Sequence, residues 1–149
     1  MPEFMETTVD KFTFKVATDR YYSEQGIWAL RTGKVIRIGL SDYLQQRSGD
    51  IAFADVQPAG TQLEAGGDVA EIETIKVDTT VASPVSGSIV TVNPKMELEP
   101  EVINQDPYGE GWLCEIEPMN WEADLEKLLE PKAYFIVMKK EAEEEAKNL

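Results

Sequence analysis

The sequence predicts a mainly β fold, a small sandwich or barrel with helices pushed to its flanks. Three observations carry this expectation. Short runs rich in β-branched and aromatic residues recur between glycine and proline punctuation. Helical periodicity appears only in brief stretches and near the C-terminus. Centrally, two strand-like runs flank one lysine, Lys76, the only basic residue between Ser48 and Asn93. That span carries Asp50, Asp55, Glu64, Asp68, Glu71, Glu73 and Asp78, so the lysine stands alone in acidic surroundings.

Taken in order, Lys11-Phe12-Thr13-Phe14-Lys15-Val16 alternates strictly and reads as a first strand. Ile27–Arg31 and Lys34–Ile38 form a hairpin about Thr32-Gly33. Ser41 is placed to cap a short helix ending at Gly49, with Gln45 near the capping-box position. Ile51–Val56 is a strand closed by Pro58 and Gly60. Asp68–Ile72 alternates as a half-buried strand, and Thr79–Ser83 returns from it toward Pro84, an edge or end marker, so Lys76 falls at or near a hairpin tip. Ser88–Val92 and Trp112–Ile116 are further strands, separated by short helical turns around Pro100 and a turn-rich loop from Asn104 to Gly111. Asn120 caps a helix expected to run from Trp121 to Leu129. Pro131 opens a final helix whose last turns have almost no apolar face, predicting a solvated, frayed tail.

The chain of 149 residues suits one domain, and its 42% apolar share suits a folded core. The expected division is a flexible N-terminus or cloning remnant over residues 1–10, the main domain over 11–130 and a helical acidic tail over 131–149. The N-terminal stretch lacks the features of a secretory signal, so a cytoplasmic location is expected. No apolar run is long enough to span a membrane. There is no histidine, which removes the usual general base and metal ligand, and Cys114 is alone, leaving no internal disulfide or cysteine zinc site. Hydrolytic and zinc chemistry are excluded on these grounds. With 28 acids against 14 bases and a formal charge of −14, the surface repels nucleic acid and anionic membranes and suits a protein partner with a basic face. A monomer is expected.

Several stretches together resemble the H-protein family, the lipoyl carriers of glycine cleavage. They are Val35-Ile36-Arg37-Ile38-Gly39-Leu40-Ser41-Asp42-Tyr43, Gly49-Asp50-Ile51, Glu73-Thr74-Ile75-Lys76, Ser83-Pro84-Val85-Ser86-Gly87 and Asp106-Pro107-Tyr108-Gly109-Glu110-Gly111-Trp112-Leu113. The resemblance implies a barrel-sandwich hybrid with lipoic acid in amide linkage on Lys76 and with Glu73 as the residue recognised by a lipoate ligase or lipoyl-transferring enzymes. Such a protein is a carrier and catalyses nothing. Biotin carriers share the fold but place methionines where Ile75 and Val77 stand here.

Two departures from the family bear on cargo. Where the family has Ser-His-Glu-Trp, this chain has Gln25-Gly26-Ile27-Trp28, and the acid expected four residues after the lysine is Thr80. If Gln25, Ile27 and Thr80 line the cavity of the arm, an ammonium there lacks its carboxylates, a costly loss for a buried charge. The expectation is therefore a carrier of sulfur working with a heterodisulfide-reductase-like complex, as in relatives of the family that serve sulfur oxidation. The alternative is an aminomethyl carrier served by glycine decarboxylase, aminomethyltransferase and dihydrolipoyl dehydrogenase, either after drift or with Glu24 taking over for Ile27. A third reading is an unmodified all-β adaptor. Cys114, within an alternating strand, reads as a packing residue, and Trp28 and Trp112 as core anchors.

Overall fold

Alternation of buried and exposed side chains builds three antiparallel sheets in the computed structural model, which describes residues 2–148. Phe4–Val9 (β1) and Phe12–Ala17 (β2) pair as a hairpin about Asp10-Lys11, with Asp10 at φ 58°. Asp tolerates that left-handed conformation because its short side chain can bond locally. The flexible N-terminus expected over residues 1–10 is thus a strand over most of its length. Its Met5, Thr7 and Val9 alternate with Phe4, Glu6 and Thr8, a weak pattern that becomes a strand once β2 supplies a partner. Met1 lies outside the described residues.

Tyr21–Tyr22 (β3), Ile27–Thr32 (β4) and Val35–Leu40 (β5) follow, with Gly33 at φ 65° in the β4–β5 turn. Asp42–Ser48 (α1) leads to Ile51–Val56 (β6) and Gln62–Leu63 (β7). Asp68–Thr74 (β8) and Asp78–Ala82 (β9) are the hairpin around Lys76, and Gly87–Val92 (β10) comes next. Lys95–Leu98 (α2) and Val102–Gln105 (α3) precede Cys114–Pro118 (β11), Trp121–Leu125 (α4) and Pro131–Lys147 (α5). A six-stranded sheet runs β3-β4-β5-β11-β10-β7, and a three-stranded sheet runs β6-β8-β9, leaving β9 at an edge. The mainly β architecture with flanking helices is as expected. Among the described residues no helix is long and apolar enough to cross a membrane.

Two apolar clusters fill the interior. The larger joins the two bigger sheets through Ile27, Ile36, Ile38, Val69, Ile72, Val81, Ile89 and Ile116. Cys114 is buried in it, as the packing reading expects. The smaller cluster packs Phe14, Val16, Tyr22, Trp28 and Tyr43 against Tyr134, Met138 and Ala142 of α5. Tyr22 and Tyr134 stack with centroids 4.4 Å apart. Trp28 is wholly buried and its Nε1–H donates to the carbonyls of Leu40 and Pro107, both at 3.0 Å. It lies flat against Gly39, its register partner, where an added Cβ would come within 2.6 Å of the indole Cε2.

Four expectations change here. The C-terminal segment is not frayed but helical to Lys147 and packs through Tyr134, Met138 and Ala142; beyond Ala142 no described residue is buried, so its last turn is solvated as expected. The helix after Asn120 ends at Leu125, not Leu129. Leu129 instead exchanges backbone hydrogen bonds with Tyr22 at 2.9 and 2.7 Å. Gln45 does not complete a capping box, because its amide donates to Asp42 Oδ1 at 2.9 Å; Ser41 Oγ does accept from the Leu44 amide. The strand placed at Trp112 begins at Cys114.

Much of the loop from Asp106 to Trp112 is explained by architecture. Asp106 Oδ2 accepts from the Glu110 amide at 2.8 Å, and Asn93 Nδ2 donates to the carbonyls of Glu110 and Trp112. The Tyr108 hydroxyl donates to the Lys15 carbonyl at 2.7 Å, tying the N-terminal hairpin to this loop. Buried Asp124 accepts from both the amide and the hydroxyl of Ser86, at 2.7 and 2.8 Å, and so pins the turn before β10.

Candidate functional site

The β8–β9 hairpin is closed tightly. Glu73 and Asp78 are register partners, and the Thr74 amide donates to the Val77 carbonyl at 2.9 Å. Ile75 and Lys76 are therefore the two residues of the loop itself. The tip projects into solvent, with Ile75 92% exposed and Lys76 exposed beside it. Among the described residues Lys76 enters no ion pair, although acids surround it in the sequence. Its side chain runs past Gly49, which caps α1 at φ 87°; Lys76 Cε lies 3.7 Å from where a Cβ on Gly49 would stand. A larger residue at 49 would be strained and would crowd the lysine stem. Glu73 is exposed on β8, opposite Phe53 of β6, itself 66% exposed. Ile75 and Val77, on either side of Lys76, are exposed as well.

The two sides of the tip differ chemically. On one side a groove of about 520 Å³ is lined by Glu24, Gln25, Arg47, Val77, Asp78 and Glu141. Arg47 lies between carboxylates, 2.8 Å from Glu145 and 3.9 Å from Glu141. Partial burial raises the pKa of Glu141, against the pull of Arg47. On the other side a smaller pocket is bounded by Phe12, Phe14, Tyr43 and Lys76 itself.

The residues proposed from sequence for the arm's cavity do not all meet there. Gln25 lines the acidic groove, but its amide is fully engaged on the edge of β9: Nε2 donates to the Thr80 carbonyl at 2.8 Å, and Oε1 accepts from the Ala82 amide at 3.0 Å. Ile27 is wholly buried in the larger apolar cluster, away from the groove. Its burial follows from the β4 register, in which Ile27 faces Leu40. The Thr80 hydroxyl donates to Glu71 Oε1 at 2.6 Å across the strand pair and does not line the groove. Carboxylates are nonetheless present beside the tip, on Glu24, Asp78 and Glu141. Glu24 is the residue that an offset alignment brings forward; Asp78 and Glu141 escape sequence reading because only the hairpin register and the packing of α5 bring them here. Tyr43 and Gly49 lie in stretches that carry the resemblance, but nothing in their spacing signals proximity to Lys76.

Cys114 does not belong to the site. Burial pushes its thiol up to about 12, so it remains protonated at neutral pH.

Comparison with known proteins agrees with this arrangement. The family model described as glycine cleavage H-protein matches residues 20–141. The glycine cleavage system H protein of a Thermus thermophilus strain is 38% identical over 127 residues, covering 85% of this chain and 98% of that protein. Its counterpart from Bacteroides fragilis is 41% identical over 117 residues, 78% of this chain and 92% of that one. Among solved structures, a glycine cleavage system H protein from Mycobacterium marinum superposes with a TM-score of 0.71 at 29% identity, over 78% of this chain and 94% of that chain. The β1–β2 hairpin and the last turns of α5 lie beyond the matched stretch. The chain belongs to the glycine cleavage H-protein family.

Proposed function

We propose that this protein is the lipoyl carrier of a glycine cleavage system, with lipoate on Lys76 and Glu73 as a recognition residue for the enzyme that attaches it. H proteins are non-catalytic carriers that hold lipoate covalently on a lysine. The observation that carries the assignment is the position of Lys76, exposed and free of ion pairs among the described residues, in a two-residue loop anchored to a sheet. The residues present fit the group. An amine must be reachable and able to lose its proton to be acylated, and the exposed loop provides both. The rigid hairpin fixes the root of the arm while leaving its end free to travel. When bound, lipoate supplies the disulfide–dithiol chemistry on which cargo is carried between partner enzymes.

Glycine decarboxylase, aminomethyltransferase and dihydrolipoyl dehydrogenase are the partners of this family, and we assign them here by that membership. The groove with Glu24, Asp78 and Glu141 supports an aminomethyl cargo, because an ammonium brought against it meets carboxylates. The reading of sulfur as cargo, with a heterodisulfide-reductase-like partner, rests on Ile27 facing the arm and on the missing acid at Thr80. With Ile27 in the core and other carboxylates beside the tip, that reading loses its structural motive. The compared proteins named above are all glycine cleavage H proteins.

The test is intact-mass analysis after incubation with a lipoate ligase, lipoate and ATP, followed by supply of the product to a glycine decarboxylase and aminomethyltransferase pair. One lipoyl addition is expected, absent in Lys76→Arg, with aminomethyl loading of the wild-type product. An addition that survives Lys76→Arg would remove the anchor assignment. A lipoylated protein that these enzymes ignore would remove the aminomethyl assignment.

A further inference from the structure

We propose that the aromatic pocket beside Lys76 is a resting berth for the uncharged dithiolane end of the arm, separate from the acidic groove; this rests on Lys76 being the lipoyl anchor. Lys76 is itself a lining residue of the pocket, together with Phe12, Phe14, Tyr43, Arg47 and Glu145, so an arm attached at Nζ is rooted beside it. Its volume of about 230 Å³ accommodates a five-membered ring, which at ~30 Å³ per water-sized group needs roughly 150 Å³.

The walls suit a disulfide. The Phe12 and Phe14 rings lie 6.4 Å apart and near parallel, and Tyr43 meets Phe14 edge-on at 5.1 Å. Sulfur is polarizable and favours the edges and faces of aromatic rings. Phe12 remains 53% exposed, an open flank for a mobile group. The charged lining residues are already paired, Glu145 with Arg47 at 2.8 Å, so the pocket offers little to a cationic cargo.

Tyr43 supplies the second, independent observation. Only 4% of it is exposed, and its hydroxyl is the one buried side-chain polar atom without a hydrogen-bond partner among the described residues. Buried hydroxyls are normally partnered; this one has the Glu145 carboxylate beside it, and burial together with that charge holds the phenol's pKa up without closing a well-formed hydrogen bond. A donor left open there matches an arm that brings an amide carbonyl and two sulfurs. The pocket depends on Phe12 and Phe14 of β2 and on Glu145 near the end of α5, which lie outside the stretch the family model matches. Arg47 lines both cavities, the aromatic one and the acidic one. The empty arm is therefore assigned to the aromatic side and the amine-loaded arm to the acidic side.

The test uses the full chain lipoylated on Lys76 and verified by intact mass. In NMR spectra of the oxidised protein, dithiolane protons should show ring-current shifts and cross-relaxation with Phe12, Phe14 and Tyr43. Reduction of the dithiolane by a water-soluble phosphine should be about fivefold slower than for free lipoamide, the factor expected of one or two sulfur–aromatic contacts. Phe12→Ser should restore the free rate and abolish the shifts, with an unchanged melting temperature. Tyr43→Phe, which keeps the ring, should retain the ring-current shifts but lose part of the rate protection. Unshifted dithiolane signals and reduction at the free rate in the wild-type protein would overturn the berth while leaving the anchor intact. Absence of any lipoyl mass gain would overturn both.

Discussion

Thr74 clasps Val77 across the loop that bears Lys76. The Thr74 hydroxyl donates to the Val77 carbonyl at 2.9 Å and accepts from the Val77 amide at 3.1 Å, adding to the backbone bond between the same two residues. One small side chain thereby fixes a loop with no glycine in it. Thr74→Ala should cost about 1 kcal/mol, the usual net worth of one or two exposed hydrogen bonds, and lower the melting temperature by about 2–4 °C. Lipoylation measured by mass should slow several-fold, because the ligase meets a looser loop. An unchanged lipoylation rate would show that the clasp serves stability alone.

The Glu73 side chain enters no hydrogen bond or ion pair among the described residues and is exposed. Glu73→Gln should therefore leave thermal stability within about 0.5 kcal/mol of wild type. The initial rate of lipoyl attachment should nevertheless fall by about tenfold, as for loss of one charge-assisted contact worth ~1.4 kcal/mol. A rate equal to wild type would remove Glu73 from the recognition surface.

Asp124 holds Ser86 by two hydrogen bonds in a buried setting. Asp124→Ala leaves the Ser86 amide without its acceptor and should cost about 2–3 kcal/mol, seen as a fall of roughly 5–10 °C in melting temperature. Lys76 lies on a different sheet, so lipoylation at a temperature where the variant is folded should be unaffected.

Cys114 should resist thiol reagents at pH 7 to 8 in the folded protein and react fully in denaturant. Its folded pKa of about 12 lies above the ordinary 9.0, so the folded state holds its proton more tightly than the unfolded one. The associated stability is complete below pH 9 and is lost as pH rises through about 12. Cys114→Ala should flatten that alkaline decline in a pH series of chemical melts.

The anchor is legible in sequence because its signal is local: strand, loop, strand, with a lysine alone among acids. The hairpins at Gly33 and Lys76 and the Ser41 cap come from the same kind of information. The groove is not legible. Family resemblance at the residue before Trp28 puts Ile27 in the arm's cavity, whereas the β4–β5 register turns Ile27 into the core. Asp78 and Glu141 reach the groove from β9 and α5, a separation in sequence that no periodicity reports. The N-terminal hairpin escapes sequence reading for a related reason. Thr7, Thr8 and Val9 become a strand only when Phe12–Val16 folds back onto them.

The bonds from Gln25 to β9 have a consequence for how the protein coexists with its own copies. A strand at a sheet edge offers free amide and carbonyl groups that template the addition of another chain. Here the carboxamide of Gln25 occupies one of each, at Ala82 and Thr80, and so imitates a neighbouring strand with a single side chain. The β9 edge of the sheet that displays Lys76 is thus capped in part from within its own chain, the other edge being β6. The tip stays open to visitors while part of the neighbouring β9 edge is already occupied.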